Sequence, residues 1–433
     1  MLAALAMASG LFTTLFLGAS AETRLREAPG GTPGSVAFAV DLAALPYFRF
    51  ETRSKHFDFK LDYAAEITQP DLEYGIHEGP QAFQLADLSV WYAARDWVFG
   101  ATQGGGVGTM NFSYLTPYEI APQGQSGPPP VQLVPCTDLA HCASEIVTLG
   151  SSYSSLSARY KHDRNTVALT PSYSVSGGLD EASKVLLPIV SVPRIDFVFE
   201  HVLGRRDAIS TLAYASAADS TARACNPATG GPPLDLTNPN PPTCAPRAQW
   251  GGARETWTHR ITRRLSLELT GGAAVARNEI DPSQPYSVLP YPVVGALVGY
   301  ALQNTDPDRP AMHPLLSDPP KPAVYAYGRV EPMIDTHWGI VDPRLEIGAA
   351  ILKPLDEENT LTGHVAFVRS LPPTVLDATY VEGEVGALHK LDRYRFEAGG
   401  GLRGAYQDDP FTGRFYVLGA YLTFVWHEPR IVF

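Results

Sequence analysis

The sequence predicts an all-β chain, a transmembrane antiparallel up-and-down β-barrel of about eighteen strands (sixteen to eighteen) with short turns at one end and long loops at the other. Three observations predict it. Polar and apolar residues alternate with period two along almost the whole chain, as in Phe57–Asp58–Phe59–Lys60–Leu61–Asp62–Tyr63 and, with opposite parity, Arg393–Tyr394–Arg395–Phe396–Glu397. Successive strand side chains point to opposite faces, so each segment has one greasy and one ionic face. The connections alternate between short charged turns and long Pro/Gly/Asn-rich stretches. Finally, no run beyond the N-terminus reaches the ~18–20 apolar residues of a membrane helix, the longest being Val293 to Leu302 with Gly295 and Gly299 inside it.

Residues 1–21 read as an export signal, with Leu2 to Leu17 almost continuously apolar and Ala19–Ser20–Ala21 as a small-residue cleavage site before Glu22. No Lys or Arg precedes the apolar run, where an export signal ordinarily carries one. A buried N-terminal helix is the alternative. Residues 22–34 then form a short periplasmic linker, and 35–433 the barrel. Strands are predicted at 36–43, 46–53, 55–68, 82–94, 97–112, 146–160, 165–177, 187–202, 207–217, 248–260, 264–277, 290–302, 322–335, 339–351, 359–371, 376–389, 391–406 and 412–426. Each is about the length a tilted strand needs to cross a bilayer.

Two internal checks support these elements. The ionic face is odd-numbered in Arg49, Glu51 and Arg53 and even-numbered in His56, Asp58, Lys60 and Asp62, a switch that an even-membered turn at Ser54–Lys55 supplies. The same switch separates Arg329 and Glu331 from Arg344 and Glu346, and Glu382 and Glu384 from Arg393 and Arg395. Strand parity is the second check. With both termini on one side the count is even, which retains 290–302 despite weak alternation and leaves a long loop, 303–321, among the short turns. The other long segments are 113–145, 218–247 and 278–289.

The formal net charge is -12, which argues against nucleic acid as a partner. A mean hydropathy of -0.07 is too polar for a helical membrane protein and suits strands with every second residue apolar. The four cysteines fall in two local pairs, Cys136 with Cys142 and Cys225 with Cys244, each in a Pro/Gly-rich loop where a disulfide would clip an exported protein. Their spacing does not suit zinc. No cofactor is expected.

A barrel of this size is wide enough for an aqueous channel. Its wall would carry Arg49, Glu51, Asp58, Lys60, Asp62, Glu66, Arg194, Asp196, Glu200, Glu268, Arg329, Glu331, Arg344, Glu346, Glu382, Glu384, Arg393, Arg395, Glu397 and Arg403. Two readings of that wall stand: a polar pore with a transverse field, or a mutually neutralising network that braces the barrel and conducts little. The outward face would carry Phe57, Phe59, Leu61, Tyr63, Ile67, Leu265, Leu267, Leu269, Tyr394 and Phe396, with Tyr92, Trp97, Tyr394, Tyr406 and Trp426 in interfacial girdles. For catalysis, Asp335–Thr336–His337 and His162–Asp163 are the only close acid/imidazole pairs, and neither GxSxG nor HExxH occurs. Plain turn chemistry accounts for the Asp/Pro stretches at 304–308 and 407–410 better than metal binding.

The pattern over residues 35 to 433, with the aromatic face Tyr416, Leu418, Ala420, Leu422, Phe424, Trp426 and the terminal Phe433, resembles outer-membrane barrels of the porin type in diderm bacteria. Pro429 interrupts that last strand. Within the group the chain is similar to sixteen-to-eighteen-stranded channels, including barrels that export exopolysaccharide, and to uncharacterised myxobacterial barrels. The resemblance implies residence in the outer membrane, with lipid, lipopolysaccharide and the outer-membrane assembly machinery as partners. It implies passage of polar solutes such as a secreted polysaccharide. The alternative is a non-conducting docking barrel of an envelope complex. No plug domain precedes the barrel, which sets it apart from TonB-dependent transporters.

Overall fold

In the computed structural model the described residues are 10–27, 36–54, 56–69, 81–111, 146–180, 183–184, 188–224, 243–280, 287–302, 323–335, 340–371, 379–392, 396–409, 413–427 and 431–432. They form β1 (Gly10–Glu27), β2 (Val36–Arg53), β3 (Phe57–Gln69), β4 (Gln81–Ala94), β5 (Trp97–Asn111), β6 (Ile146–His162) and β7 (Asn165–Gly178). The chain continues with β8 (Val190–Val202), β9 (Asp207–Ser220), β10 (Arg223–Ala224), β11 (Thr243–Cys244), β12 (Arg247–Arg260), β13 (Leu265–Glu279) and β14 (Ser287–Ala301). It ends with β15 (Ala323–Asp335), β16 (Ile340–Pro354), β17 (Asn359–Ser370), β18 (Thr379–Asp392), β19 (Phe396–Asp409), β20 (Gly413–His427) and β21 (Ile431–Val432).

Eighteen long antiparallel strands each pair with the strand before and after, and β1 pairs with β20, so the sheet closes on itself and has no edge. The two-residue strands β10 and β11 form a separate hairpin in the β9–β12 connection, and β21 extends the β20 side of β1. The outward positions are apolar and exposed. Leu422 is 63%, Leu402 and Leu156 are 62% and Phe424 is 57% accessible. A soluble surface does not carry such a continuous greasy band, whereas hydrocarbon requires it. Among the described residues no helix is long and apolar enough to cross a membrane.

The predicted count of eighteen holds, but two of its members differ. Residues 36–43 and 46–53 are one strand, β2, running through Pro46, which stands opposite Leu17. The missing member is β1, built from the segment read as the end of an export signal and the start of a linker. In sequence its odd positions carry Leu11, Leu15, Leu17 and Leu25 and its even positions Thr14, Gly18, Ser20, Glu22, Arg24 and Arg26. Small residues at Gly18, Ala19, Ser20 and Ala21 blur that alternation into an apolar run.

The β2–β3 turn also differs by one residue. Ser54 pairs with Phe57 through a 2.7 Å backbone hydrogen bond, not with Lys55 as a turn partner, and Lys55 itself lies outside the described residues. The resulting register sets Arg49 opposite Asp62, Glu51 opposite Lys60 and Arg53 opposite Asp58. Opposite charges therefore face one another across the ladder, the favourable cross-strand arrangement. The same complementarity appears at Arg329 with Glu346, Glu331 with Arg344, and Glu384 with Arg403. Tight turns at Arg95–Asp96 and Asp163–Arg164 place Arg95 and Asp163 at φ 49°, the left-handed geometry that two-residue hairpins favour.

Candidate functional site

The interior follows from the register. Arg49, Glu51, Asp58, Lys60, Asp62, Arg194, Asp196, Glu200, Glu268, Arg329, Glu331, Arg344, Glu346, Glu382, Glu384, Glu397 and Arg403 have the parity opposite to the exposed apolar residues of their strands. The side chain of Glu66, and residues Arg393, Arg395, Cys136, Cys142 and Cys225, lie outside the described set, as do Tyr394 and the whole 303–321 loop. Cys244 is buried and disulfide-bonded.

Ion pairs tie neighbouring strands across this inner face. Asp62 accepts a 2.6 Å hydrogen bond from Arg49 Nε and another from the Tyr47 hydroxyl, while Lys60 Nζ lies 2.6 Å from its second oxygen. Arg159 of β6 reaches over β7 to Glu200 of β8 at 3.2 Å. Arg194 donates to Asp196 at 2.9 Å and lays its guanidinium 4.7 Å from the centre of the Tyr214 ring. On β15, Arg329 bonds both to Glu331, at 2.9 Å, and to the buried Glu346 of β16.

One pair shows that the wall is not a simple cylinder. Arg254 of β12 meets Glu331 of β15 at 2.5 Å although β13 and β14 lie between them. Three strand spacings span about 14 Å along a flat sheet, more than two side chains bridge comfortably, so the β15 side must fold inward. The ladder shows where. β14 and β15 pair from Ala301–Ala323 only as far as Val294–Val330. Continuing that register would set Pro292 opposite Pro332, neither of which has an N–H to donate.

Beyond this split β15 and β16 remain paired to Asp335–Ile340 and their common end turns into the barrel. Val341, Asp342, Arg344 and Glu346 are each only 2% accessible. Asn278 of β13 clamps the hairpin, donating at 2.7 Å to the Val341 carbonyl and accepting at 2.9 Å from the Val341 N–H. Val341 packs in an apolar cluster with Val190 and Val192 of β8, Ala218 of β9, Ala248 and Trp250 of β12, Ala276 of β13 and Tyr291 of β14. The long-loop end of the β8–β14 wall is thus lined by a small hydrophobic core inside the lumen.

Sequence reasoning missed this inward hairpin. Its signal was the loss of alternation over Val288–Leu289–Pro290–Tyr291–Pro292–Val293–Val294, where the inner positions are apolar as well as the outer ones. The opposite wall carries no such cover among the described residues. There Tyr421 of β20 lies flat across β19 and donates to Glu384 of β18. Gly401 and Gly386 make room for it, because a Cβ at either would come within 2.8 Å or 2.5 Å of the tyrosine hydroxyl. His364 stands 4.0 Å from Glu382 and is half exposed.

Of the two acid/imidazole pairs, only one lies wholly within the described residues. His162 and Asp163 sit 3.6 Å apart in an exposed turn, and residues 336–339 lie outside the described set. Among the described residues no three His, Cys, Asp or Glu side chains are grouped to hold a metal.

Comparison with known proteins gives a family. The profile described as the EpsX exopolysaccharide export family matches residues 5–229, which include β1. No curated protein matches the chain. Among solved structures, the chain is similar to OccK2 (OpdF) of Pseudomonas aeruginosa, with 10% identity, TM-score 0.43 and coverage of 96% of this chain and 98% of that one. OpdO of the same organism gives 10% identity and TM-score 0.41, covering 97% of each. The ferric-catecholate import receptor Fiu of E. coli K12 gives 10% identity and TM-score 0.44, covering 95% of this chain and 81% of that one.

Proposed function

We propose, from the premise that the chain belongs to the EpsX exopolysaccharide export family, that this outer-membrane barrel is the conduit through which a polysaccharide leaves the cell. The observation that carries the reading is the closed eighteen-stranded wall with an inner face of alternating acidic and basic groups. Such a wall offers many weak hydrogen-bond partners to a hydroxyl-rich chain. Paired charges suit this task because each cross-strand partner keeps its neighbour in place while leaving lone pairs and N–H groups for the solute.

The inward β15–β16 hairpin favours a second reading, a non-conducting barrel that docks an envelope complex, since it occupies part of the lumen at the long-loop end. In the conduit reading the same hairpin narrows the path to the side lined by β17–β20 and β2–β4. A bridge from the disulfide-bonded Cys244 to Cys225 would fit both readings, because the β10–β11 hairpin draws Ala224 and Thr243, their chain neighbours, opposite each other. So do lipopolysaccharide around the long loops and the assembly machinery as the route of insertion.

Single-channel conductance of the refolded full chain in a planar bilayer separates the two. Stable steps that are blocked by neutral or charged oligosaccharides are expected. Silence from folded, inserted protein would refute conduction and leave the loops as the working surface.

A further inference from the structure

Among the described residues at the short-turn end, basic side chains gather on consecutive turns of one arc. The turns after β6, β8 and β12 are neighbours on the rim, because β6, β7, β8, β9, β12 and β13 are consecutive in the sheet. They bear Lys161 and Arg164, then Arg205 and Arg206, then Arg263 and Arg264, all exposed, in a chain of net charge -12. Asp163 and Asp207 are the acidic residues among them. On the far side of the rim the β16–β17 turn is acidic instead, with Asp356, Glu357 and Glu358.

Two of the basic turns repeat one pattern. In Leu203–Gly204–Arg205–Arg206 and Ile261–Thr262–Arg263–Arg264 an apolar residue stands two positions before twin arginines. Leu203 is 46% and Ile261 is 44% accessible, so each turn exposes a greasy side chain beside two guanidinium groups. The turns are tied together by backbone: the Arg260 N–H donates to the Arg206 carbonyl at 2.8 Å, and the Val202 N–H to the Arg164 carbonyl at 2.9 Å. Thr262 Oγ1 accepts from the N–H groups of Arg264 and Leu265, which fixes the turn that presents the arginines.

Depth is set by the aromatic residues just above. Trp97 packs on Tyr160 at 4.9 Å, and Trp257 stacks on His259 while donating to Asp207 at 3.1 Å. Exposed indoles of this kind settle at the boundary between hydrocarbon and headgroups. Arg260 follows Trp257 by three residues, about 10 Å along the strand and about 8 Å along the membrane normal once the strand tilt is taken in. The arginines beyond it therefore sit at the level of the lipid phosphates, where a guanidinium pairs with two phosphate oxygens at once.

We propose that this arc binds anionic phospholipid headgroups of the periplasmic leaflet, with Leu203 and Ile261 dipping between acyl chains and the twin arginines closing on the phosphates. The contact is confined to the β6–β13 flank, so anionic lipid gathers on one side of the barrel and the acidic β16–β17 turn is left without it. The inference does not depend on whether the barrel conducts.

The test reconstitutes the full chain in vesicles of phosphatidylcholine with and without phosphatidylglycerol and counts co-purifying lipids by native mass spectrometry. Enrichment of phosphatidylglycerol over phosphatidylcholine is expected, falling on the order of tenfold or more in the quadruple variant R205Q/R206Q/R263Q/R264Q. Equal enrichment in variant and parent would overturn the proposal. Heat-modifiable gel mobility reports whether the variant barrel has formed. If it has not, the parent decides the matter in about 1 M salt, where the screening length is only about 3 Å. Loss of the preference there supports the arc, and its survival refutes it.

Discussion

Replacing Asn278 with Ala tests whether the inward hairpin governs passage. The side chain makes two hydrogen bonds to one residue, Val341, whose backbone is buried within the β15–β16 end. Each is worth about 0.5–1.5 kcal/mol net, so the clamp contributes about 1–3 kcal/mol to the tucked arrangement. The apolar contacts of Val341 with Trp250 and Tyr291 remain in the variant, and so do the ion pairs of Arg329. A loss of that size moves an equilibrium between tucked and released hairpin roughly 5- to 150-fold. The expected result is a longer-lived, larger conductance level in planar bilayers, with unchanged heat-modifiable mobility of the barrel. A conductance record identical to the parent, from a variant whose thermal stability has fallen, would show that Asn278 braces the wall and gates nothing.

Two further outcomes follow from position. Leu402, near the middle of β19 and 62% accessible, faces hydrocarbon at mid-depth, so Leu402→Arg should cost about 2–4 kcal/mol of folding free energy in phospholipid bilayers. Leu267 is the third residue of β13, close to the rim, and the same change there should cost only about 0–1 kcal/mol; equal costs in denaturant titration would contradict the assigned depth. The Asp356 carboxyl, in the exposed β16–β17 turn, is held below the usual carboxylate range by hydrogen bonds from the Asn359 side chain and the N–H groups of Glu358 and Asn359. A lowered folded-state value means that the turn's carboxylate contacts are fully present above the ordinary carboxylate range and lost as pH falls through the lowered value. Amide shifts of Glu358 and Asn359 in detergent-solubilised protein should move with that titration and stop doing so in Asp356→Asn.

What the sequence made legible was whatever a period-two pattern encodes. Alternation located nearly every strand. The parity switches at Arg49/Asp62 and Arg329/Glu346 implied even-membered turns, and the pairing register bears those switches out to within a residue. Two kinds of feature escaped, each for a physical reason. A strand that covers a small hydrophobic core inside the lumen is apolar on both faces, so Val293 and Tyr291 gave weak alternation where the hairpin packs. Contacts between non-adjacent strands, such as Arg254 with Glu331 or Asn278 with Val341, leave no local trace, because their 77- and 63-residue separations depend on how the sheet curls.

The N-terminal segment is the sharpest case, since two physical patterns compete for the same residues. An apolar run ended by Ala19–Ser20–Ala21 suits a leader peptide, and the same residues supply the strand that pairs with Leu42–Arg53 on one side and with Leu422–His427 on the other. Without residues 10–21, β2 and β20 lose the greater part of their shared neighbour, and two long strands in hydrocarbon expose unpaired N–H and C=O groups. Each such group costs several kcal/mol in lipid, far beyond the stability of a typical domain when summed along a strand. Retention of the segment in the membrane-inserted protein is therefore expected. Mass spectrometry of protein extracted from outer membranes decides it: peptides covering Leu11 to Ala21 place the strand in the wall, whereas a mature N-terminus at Glu22 in a folded barrel would show that β2 and β20 close against each other by another register.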